Sequence, residues 1–444
     1  MRSRLHLRTS TRAHTRAHTR VQTRVQTRVQ TRVRRRLAAY ATTLAVAAAG
    51  IVLGPVQAAG AADAAVPSMG PVFNRPTGDV AQQNAIRDRA RAMIAAADSG
   101  STIRMALYHF WDKAFAQELA AAHTSRGINV QVVLDESTVS TEGVNDVSYD
   151  TLKTALGTDM AKSSYVKLCA KGRSCLGPTA GAGINHNKFL LFSSLGGGAA
   201  KQVVLQMTSN LTPSNYARYW NSAVGVADNA ALYTAYSDYF VKLGKQDRAN
   251  WKYSYANAGA YKVYFFPRAG TTDDSDTVVN TLDNVACTWT DSAGTHRTAI
   301  RAAMLKVTRQ GVADKLRALA AAGCTVDLVY SETDSGTWNA LHGQTRLTTR
   351  CYQHDNDGDA GTPDPTPNRI VHSKNLMIDG MYAGAREKLV FTGSHNWSGP
   401  ALRDNDETMV RINEDTTYNA FVTNFNDTRA AAYPGTSDNV AACK

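Results

Sequence analysis

Two stretches of the chain repeat one order of hydrophobic and polar positions. In the first, IRMALYHF (residues 103–110) alternates as a strand does, residues 114–123 carry apolar side chains at helical spacing, and RGINVQVVLDE (126–136) enters a second strand through Gly127. In the second, IRAAMLKV (300–307), a helical pattern from about 312 to 322, and AGCTVDLVYSE (322–332) follow in the same order. Strand, helix and strand joined by short loops make a βαβ unit, whose crossover is expected to be right-handed. Similar phrases precede both units, PVFNRP at Pro71 and VYFFPR at Val263.

Each repeat then passes through a loop-rich stretch into a second pattern. INHNKFLLFSS (184–194) continues through LGGGAAK into a strand that ends on Thr208 and Asn210, a hairpin with a Gly-rich turn. IVHSKNLMIDG (370–380) continues through a second hairpin to Ser394 and Asn396. The interval from His186 to Asn210 is 24 residues, as is that from His372 to Asn396. A third mark follows, Asn221 in WNSAVGV and Asn405 in DNDETMV, 35 and 33 residues after the respective histidines. The expected organisation is a leader over 1–62, one lobe over 63–245, a linker over 246–260 and a second lobe over 261–444.

Composition changes this picture mainly at the amino terminus. Residues 1–62 hold a TRAH/TRVQ tetrad repeat with no apolar face, then Arg34–Arg36, an apolar run from 37 to 53, and small residues around Ala58 and Ala61. That order reads as a secretory signal peptide, with a membrane anchor as the competing reading of the apolar run and a twin-arginine route left open by the triple Arg. The formal charge is +12, but the leader contains 12 Arg and no Lys, Asp or Glu, so the remainder is neutral. The basic pI of about 9.4 therefore carries no argument for nucleic acid. All six Cys lie beyond the leader, an even number that suits disulfides in an oxidising compartment and allows 15 full connectivities. Cys169 and Cys175, flanking a Gly-containing loop, are the expected pair, and no CxxC or paired Cys/His spacing supports zinc.

Strand alternation places His372 and Lys374 on one face, and His186 and Lys188 likewise. Thr208 and Asn210, or Ser394 and Asn396, arrive beside them on the following strand, so each lobe offers an imidazole, a cation and neutral donors. Facing lobes would bring both sets to one pocket. Such a set suits a phosphodiester: one His attacks phosphorus in line, and the other protonates the leaving oxygen and then activates water. Lys and Asn side chains bind the equatorial oxygens. With that much positive charge from side chains, no cofactor is required.

IVHSKNLMIDG with GSHNWSGPAL, and the looser INHNKFLLFSS with MTSNLTPSNY, resemble the HxK(x)4D motifs of the phospholipase D superfamily over nearly the whole chain beyond the leader. The resemblance implies an α/β fold of two pseudo-twofold-related lobes, each a mixed sheet flanked by helices, with the active site at their interface. It implies that His186 is the nucleophile and His372 the general acid/base. It also implies that Asp379, and Ser193 in its place in the first lobe, support the loop from outside the ligand. Family members often carry a carboxylate in the third mark to orient the opposite histidine. Glu407 fills that role for His186, and the matching position in NSAV is expected to be Ala223.

The resulting expectation is a secreted, monomeric phospholipase D-type phosphodiesterase acting on phospholipid at a membrane or micelle surface. A nuclease on the same site, or a phosphate-binding protein with a degenerate first motif, is the alternative. Two lesser signals remain. Asp355, Asp357 and Asp359 alternate as calcium ligands do, without the Gly and Glu of an EF-hand, so calcium is a weaker expectation than a solvated loop. Tyr216, Tyr219, Trp220 and Trp397 suit core packing better than a choline or acyl site.

Overall fold

The computed structural model describes residues 64–141, 147–178, 182–354 and 369–434. The leader, the aspartates of the 355–359 loop and Cys443 lie outside the described residues. Both βαβ units form. Thr102–Leu107, the helix Lys113–Arg126 and Asn129–Leu134 make the first, and Ala299–Val307, Gln310–Ala321 and Thr325–Thr333 the second. The first helix begins where the Asp112 carboxylate accepts from Phe115 N at 3.0 Å, and it stops at Gly127, whose φ of 65° lets the chain turn straight into the next strand.

Each lobe carries the same seven-strand order. In the first, Tyr165–Leu168, Asn129–Leu134 and Thr102–Leu107 run parallel, and Lys188–Leu195, Ala200–Met207, Tyr219–Val226 and Gly70–Asn74 continue antiparallel. In the second, Leu347–Cys351, Thr325–Thr333 and Ala299–Val307 are parallel, and Lys374–Tyr382, Ala385–Gly393, Thr408–Ile412 and Tyr261–Phe265 follow antiparallel. The part read as linker departs from expectation: Ser254–Ala258 pairs with Tyr261–Phe265 and extends the second sheet. Its alternating SYANA gave no strong apolar signal because it is an edge strand, with Tyr255 open to solvent.

One face of each sheet is covered by helices of its own lobe. Helices Val80–Ala96 and Lys113–Arg126 pack on the first sheet, and Thr277–Leu282 and Gln310–Ala321 on the second. The two inner faces meet through a shared apolar layer that includes the helices Ala230–Lys245 and Asp415–Ala431. Within it the Tyr239 ring lies 4.5 Å from Phe265, and Phe73 meets Phe421 edge-on at 5.0 Å, each contact joining one lobe to the other. Covering on both sides explains why the motif strands are buried at successive positions rather than alternately.

Disulfides join Cys169 to Cys175 and Cys287 to Cys324, Cys351 is disulfide-bonded as well, and no described cysteine is free. Among the described residues no helix is long and apolar enough to cross a membrane. Phe421→Ala, which empties part of the layer between the lobes, is expected to lower stability by about 3–5 kcal/mol, read as an earlier midpoint in chemical denaturation.

Candidate active site

Each histidine is delivered by main-chain pairing with the other lobe. His186 N donates to Asp406 O at 2.9 Å and Asp406 N donates to Ile184 O at 3.0 Å. In the mirror arrangement Arg369–Val371 pairs with the start of Tyr219–Val226, and His372 N donates to Trp220 O at 2.9 Å. The residue after each of these anchors, Glu407 or Asn221, then meets the imidazole of the opposite lobe. His186 Nδ1 lies 2.9 Å from both Glu407 oxygens, and His372 Nδ1 lies 2.9 Å from Asn221 Oδ1. Asn221 is oriented by its own partners: Nδ2 donates to Asn215 O at 3.1 Å, and Oδ1 accepts from Thr208 Oγ1 at 2.9 Å. In both rings Nδ1–H is committed and Nε2 is left for chemistry.

This register corrects the expected counterpart of Glu407. Thr208 N donates to Ser222 O as Ser394 N donates to Thr408 O, so Asn221, rather than Ala223, occupies the position of Glu407. Both stand 35 residues after the histidine of their own lobe, a spacing that pairing Asn221 with Asn405 had obscured. Ala223 is buried in the outer apolar layer of the first lobe. Asn405 instead donates from Nδ2 to Glu407 Oε1 at 3.1 Å and holds Ile184 N through Oδ1 at 3.1 Å.

The site is buried and crowded with ionisable groups. Both histidines are 6% exposed, and Lys188 is fully buried. Lys188 Nζ donates to His186 O at 2.6 Å, and Lys374 Nζ donates to His372 O. Burial, then Lys188 and Lys374, push the His186 pKa well down, with a hydrogen bond to the Ser394 main chain opposing. Burial, then Lys374, Lys188 and His186, do the same to His372. These cross-lobe influences place two imidazoles and two ammoniums in one field. Burial lowers Lys188 to about 7 against the pull of Glu407 and Asp135, and lowers Lys374 well below its ordinary value. It raises Glu407 to about 8 against the nearby Lys188 and the hydrogen bonds of Ser394 and Asn405.

The remaining expected residues fall into three groups. The Thr208 hydroxyl donates to Asn221 and accepts from Ser222 N, and the Ser394 hydroxyl bonds Glu407 and accepts from Thr408 N at 3.0 Å. Both hydroxyls thus serve the residues that orient the histidines. Gly393, just before Ser394, has φ of 148°, and a Cβ there would meet Thr408 O at 2.2 Å, so the close approach requires glycine. Asn210 Oδ1 accepts from His109 N at 3.5 Å, and Asn396 Oδ1 is buried without a hydrogen-bond partner among the described residues. Ser193 Oγ accepts from Thr102 N at 2.9 Å, and Asp379 pairs with Arg386, so both sit on the far parts of their strands. Tyr216, Trp220 and Trp397 are buried, whereas the Tyr219 ring stacks 5.5 Å from His372.

Several contributors carried no motif. Asp135 Oδ2 accepts from Asn185 N at 2.6 Å, one residue before His186, and Ser331 Oγ accepts from Val371 N at 2.7 Å in the matching place. Asp406 is buried and accepts from Cys175 N at 2.6 Å and Leu176 N at 2.9 Å, tying the disulfide loop to the segment that carries Glu407. His109, pushed down to about 3 by burial and then by Lys188 and His186, stacks between Tyr108 and Trp111. Asp135 and His109 could be read only from their positions just after a strand, and Ser331 and Asp406 carried no comparable mark. Cys169, Cys175 and Asp406 cluster closely enough for a metal, but both sulfurs are in the disulfide and offer no thiolate. Cavities of about 550 Å³ between the first two helices and about 350 Å³ beside Tyr253 lie away from these histidines.

The sequence matches the family described as "Cardiolipin synthase, PLD-like domain" over residues 91–243 and 292–429. Comparison with curated proteins finds no match. Among solved structures the chain is similar to the phosphatidylserine synthase of Haemophilus influenzae Rd KW20, at 10% identity and a TM-score of 0.53, covering 82% of this chain and 87% of that one. It is also similar to the polyphosphate kinase of Porphyromonas gingivalis, at 14% identity and a TM-score of 0.50, covering 81% of this chain and only 50% of the kinase. At these identities the likeness concerns the fold.

An anion entering between Lys188 and Lys374 favours their charged forms, so binding takes up protons wherever the free lysines are neutral. Lys188 at about 7 opens that window at neutral pH, and Glu407 losing its proton near 8 acts in the same direction. Sulfate, whose charge is constant over this range, should therefore bind less tightly as pH rises from 7 to 9, by up to about tenfold per unit per proton. Calorimetry at several pH values checks the slope.

Proposed function

Because the chain belongs to the phospholipase D superfamily, we propose that it is a phosphodiesterase working through a phosphohistidine on His186, with a glycerophospholipid as substrate. The observation that supports this reading is the pair of buried imidazoles, each held at Nδ1 from the opposite lobe. His186 Nε2 forms a bond to phosphorus while the P–O bond to the head-group alcohol breaks, and His372 gives that alkoxide its proton. Water then attacks phosphorus, passes a proton to His372, and the P–N bond breaks to return His186.

The unequal partners favour this division of roles. A phosphorylated imidazole carries positive charge, which favours the ionised form of Glu407 and is then neutralised by it, as it is not by the Asn221 amide. An acid needs its tautomer fixed and its proton loosely held, and Asn221 with the neighbouring Lys374 supplies both. Lys188 and Lys374 stabilise the phosphoryl oxygens, and Asn210 and Asn396 stand where they can add hydrogen bonds. Thr208 and Ser394 act one step back, through Asn221 and Glu407. Both lobes of one chain complete the site, which suits a monomer. The disulfides are consistent with an extracellular protein. Together with the leader pattern they support secretion as part of the proposal.

Purified protein incubated with phosphatidylcholine, with and without a primary alcohol, and with plasmid DNA in parallel tests the reading. Head-group release with alcohol transfer is the expected result. Nicked plasmid instead would move the substrate to nucleic acid, and silence on every diester would leave only a phosphate binder. His186→Ala should abolish turnover and Glu407→Gln should cost about 10²-fold or more in kcat. Ser193→Ala, which removes one hydrogen bond far from the phosphate, should change kcat by less than about twofold, its cost of about 1 kcal/mol falling on stability. Equal rate losses from these last two would overturn the assigned role of Glu407.

A further inference from the structure

Beside His186 the second lobe buries polar side chains that the mechanism does not use. Arg309 follows the strand Ala299–Val307, and its main-chain N donates to Trp397 O at 3.0 Å, fixing it against the 394–397 turn. The guanidinium is 8% exposed, Nε lies 3.3 Å from Asp276 Oδ2, and none of its three nitrogens makes a hydrogen bond among the described residues. Asp276 is also committed to capping the helix Thr277–Leu282, through Val278 N at 2.8 Å and Val279 N at 3.2 Å. His395, 2% exposed, makes no hydrogen bond at either ring nitrogen among the described residues. Its ring lies 4.2 Å from that of Phe266, whose N donates to Glu407 O at 3.0 Å, and burial first, then Arg309 and more weakly His186, lower its pKa, so it lies within reach of both charges.

The first lobe shows that the fold does not require this. The paired bridges Phe110–Leu211 and Val307–Trp397 make Asp112 the counterpart of Arg309 and Ser209 the counterpart of His395. There every group is satisfied: Asp112 caps a helix and accepts from Tyr216 Oη at 2.9 Å, and Ser209 Oγ donates to Asn210 O at 2.7 Å. Unpartnered donors without access to water are costly, and a guanidinium offers a fork of N–H groups that fits an oxyanion. Burial lowers the Arg309 pKa only to about 10, with Asp276 opposing, so it stays a cation at neutral pH.

We infer that Arg309 and His395 form a subsite for a second anionic group, a phosphate or carboxylate, carried by the substrate beside the scissile phosphodiester. The inference rests on the proposed phosphodiesterase reading and narrows it. Substrates bearing such a group are selected, and a head group that is only cationic, such as choline, gains nothing from the subsite.

Calorimetry on the whole protein tests this with three probes: orthophosphate, pyrophosphate, and phosphoglycolate, which has a carboxylate in place of the second phosphate. Wild type should bind at least one of the two larger anions about tenfold or more tightly than orthophosphate, and the one preferred tells phosphate from carboxylate. Arg309→Gln should bring that anion and orthophosphate to within about twofold of each other, with His395→Asn in between. Equal affinities in wild type, or a preference that survives Arg309→Gln, would overturn the inference. Should Arg309→Gln fail to fold, Arg309→Lys and the wild-type ratio still decide it. Diester cleavage without any preference for a second anion defeats the subsite alone, whereas absence of both cleavage and orthophosphate binding defeats the phosphodiesterase reading beneath it.

Discussion

The site depends on an exchange of main chain between the lobes. The segment entering His186 bonds to Asp406 of the second lobe, and the segment entering His372 bonds to Trp220 of the first. Because Glu407 and Asn221 directly follow those anchors, each imidazole is oriented by the lobe it does not belong to. Neither lobe alone can hold its own histidine in a defined tautomer. The distance between the two rings is thereby set by backbone hydrogen bonds, which have little freedom, rather than by long side chains. The apolar layer between the sheets maintains that exchange, and the hydroxyls of Ser222 and Thr408, bonded to Asn375 and Gln206 across the lobes, add polar register to it.

That geometry concentrates like charge where water is scarce. Two lysines and two imidazoles meet with Glu407 between them, and burial, joined by repulsion at Lys374 and both histidines, lowers every basic pKa in the group. The arrangement is poor for stability and suitable for binding an anion, since a phosphodiester supplies the missing negative charge. Glu407 is the counterion in contact with a histidine, and its placement behind His186, where the other half has Asn221, sets the two halves apart. The same bias appears at Arg309 and His395. Positions that the first lobe fills with a capping Asp112 and a self-satisfied Ser209 are filled in the second by Arg309, ion-paired with Asp276, and His395, both without side-chain hydrogen bonds among the described residues.

Much of this was legible from residue order. The βαβ units, the hairpins and the two His-x-Lys strands fall where alternation and spacing put them, and the Cys169–Cys175 pair was visible because both residues border one loop. The role of Asn221 was misread because Asn405 lies two residues short of the matching place, and counting like residues outweighed counting equal intervals. Cys287 and Cys324, 37 positions apart, have no local pattern that could pair them. The crossing of Arg369–Val371 into the first sheet was hidden for a similar reason, since sequence order assigns that strand to the lobe that follows it. Asp135 and Arg309 each stand singly after a strand, and only the fold shows what they face.

Pseudo-symmetry of the backbone and asymmetry of the side chains do separate things. An in-line displacement needs groups on opposite sides of phosphorus, and a duplicated lobe supplies them by construction, with the same main-chain bonds on both sides. The two steps of the proposed mechanism nevertheless need different groups: one imidazole must carry positive charge for the lifetime of an intermediate, and the other must pass a proton in both directions. A carboxylate behind the first and an amide behind the second meet those needs without moving the backbone. It follows that a Glu at position 221 would not restore an ideal symmetric site. In the proposed mechanism it would stabilise the imidazolium of His372 and hold the very proton that the leaving oxygen requires, so that reading gives the neutral Asn221 a use that a carboxylate would not serve.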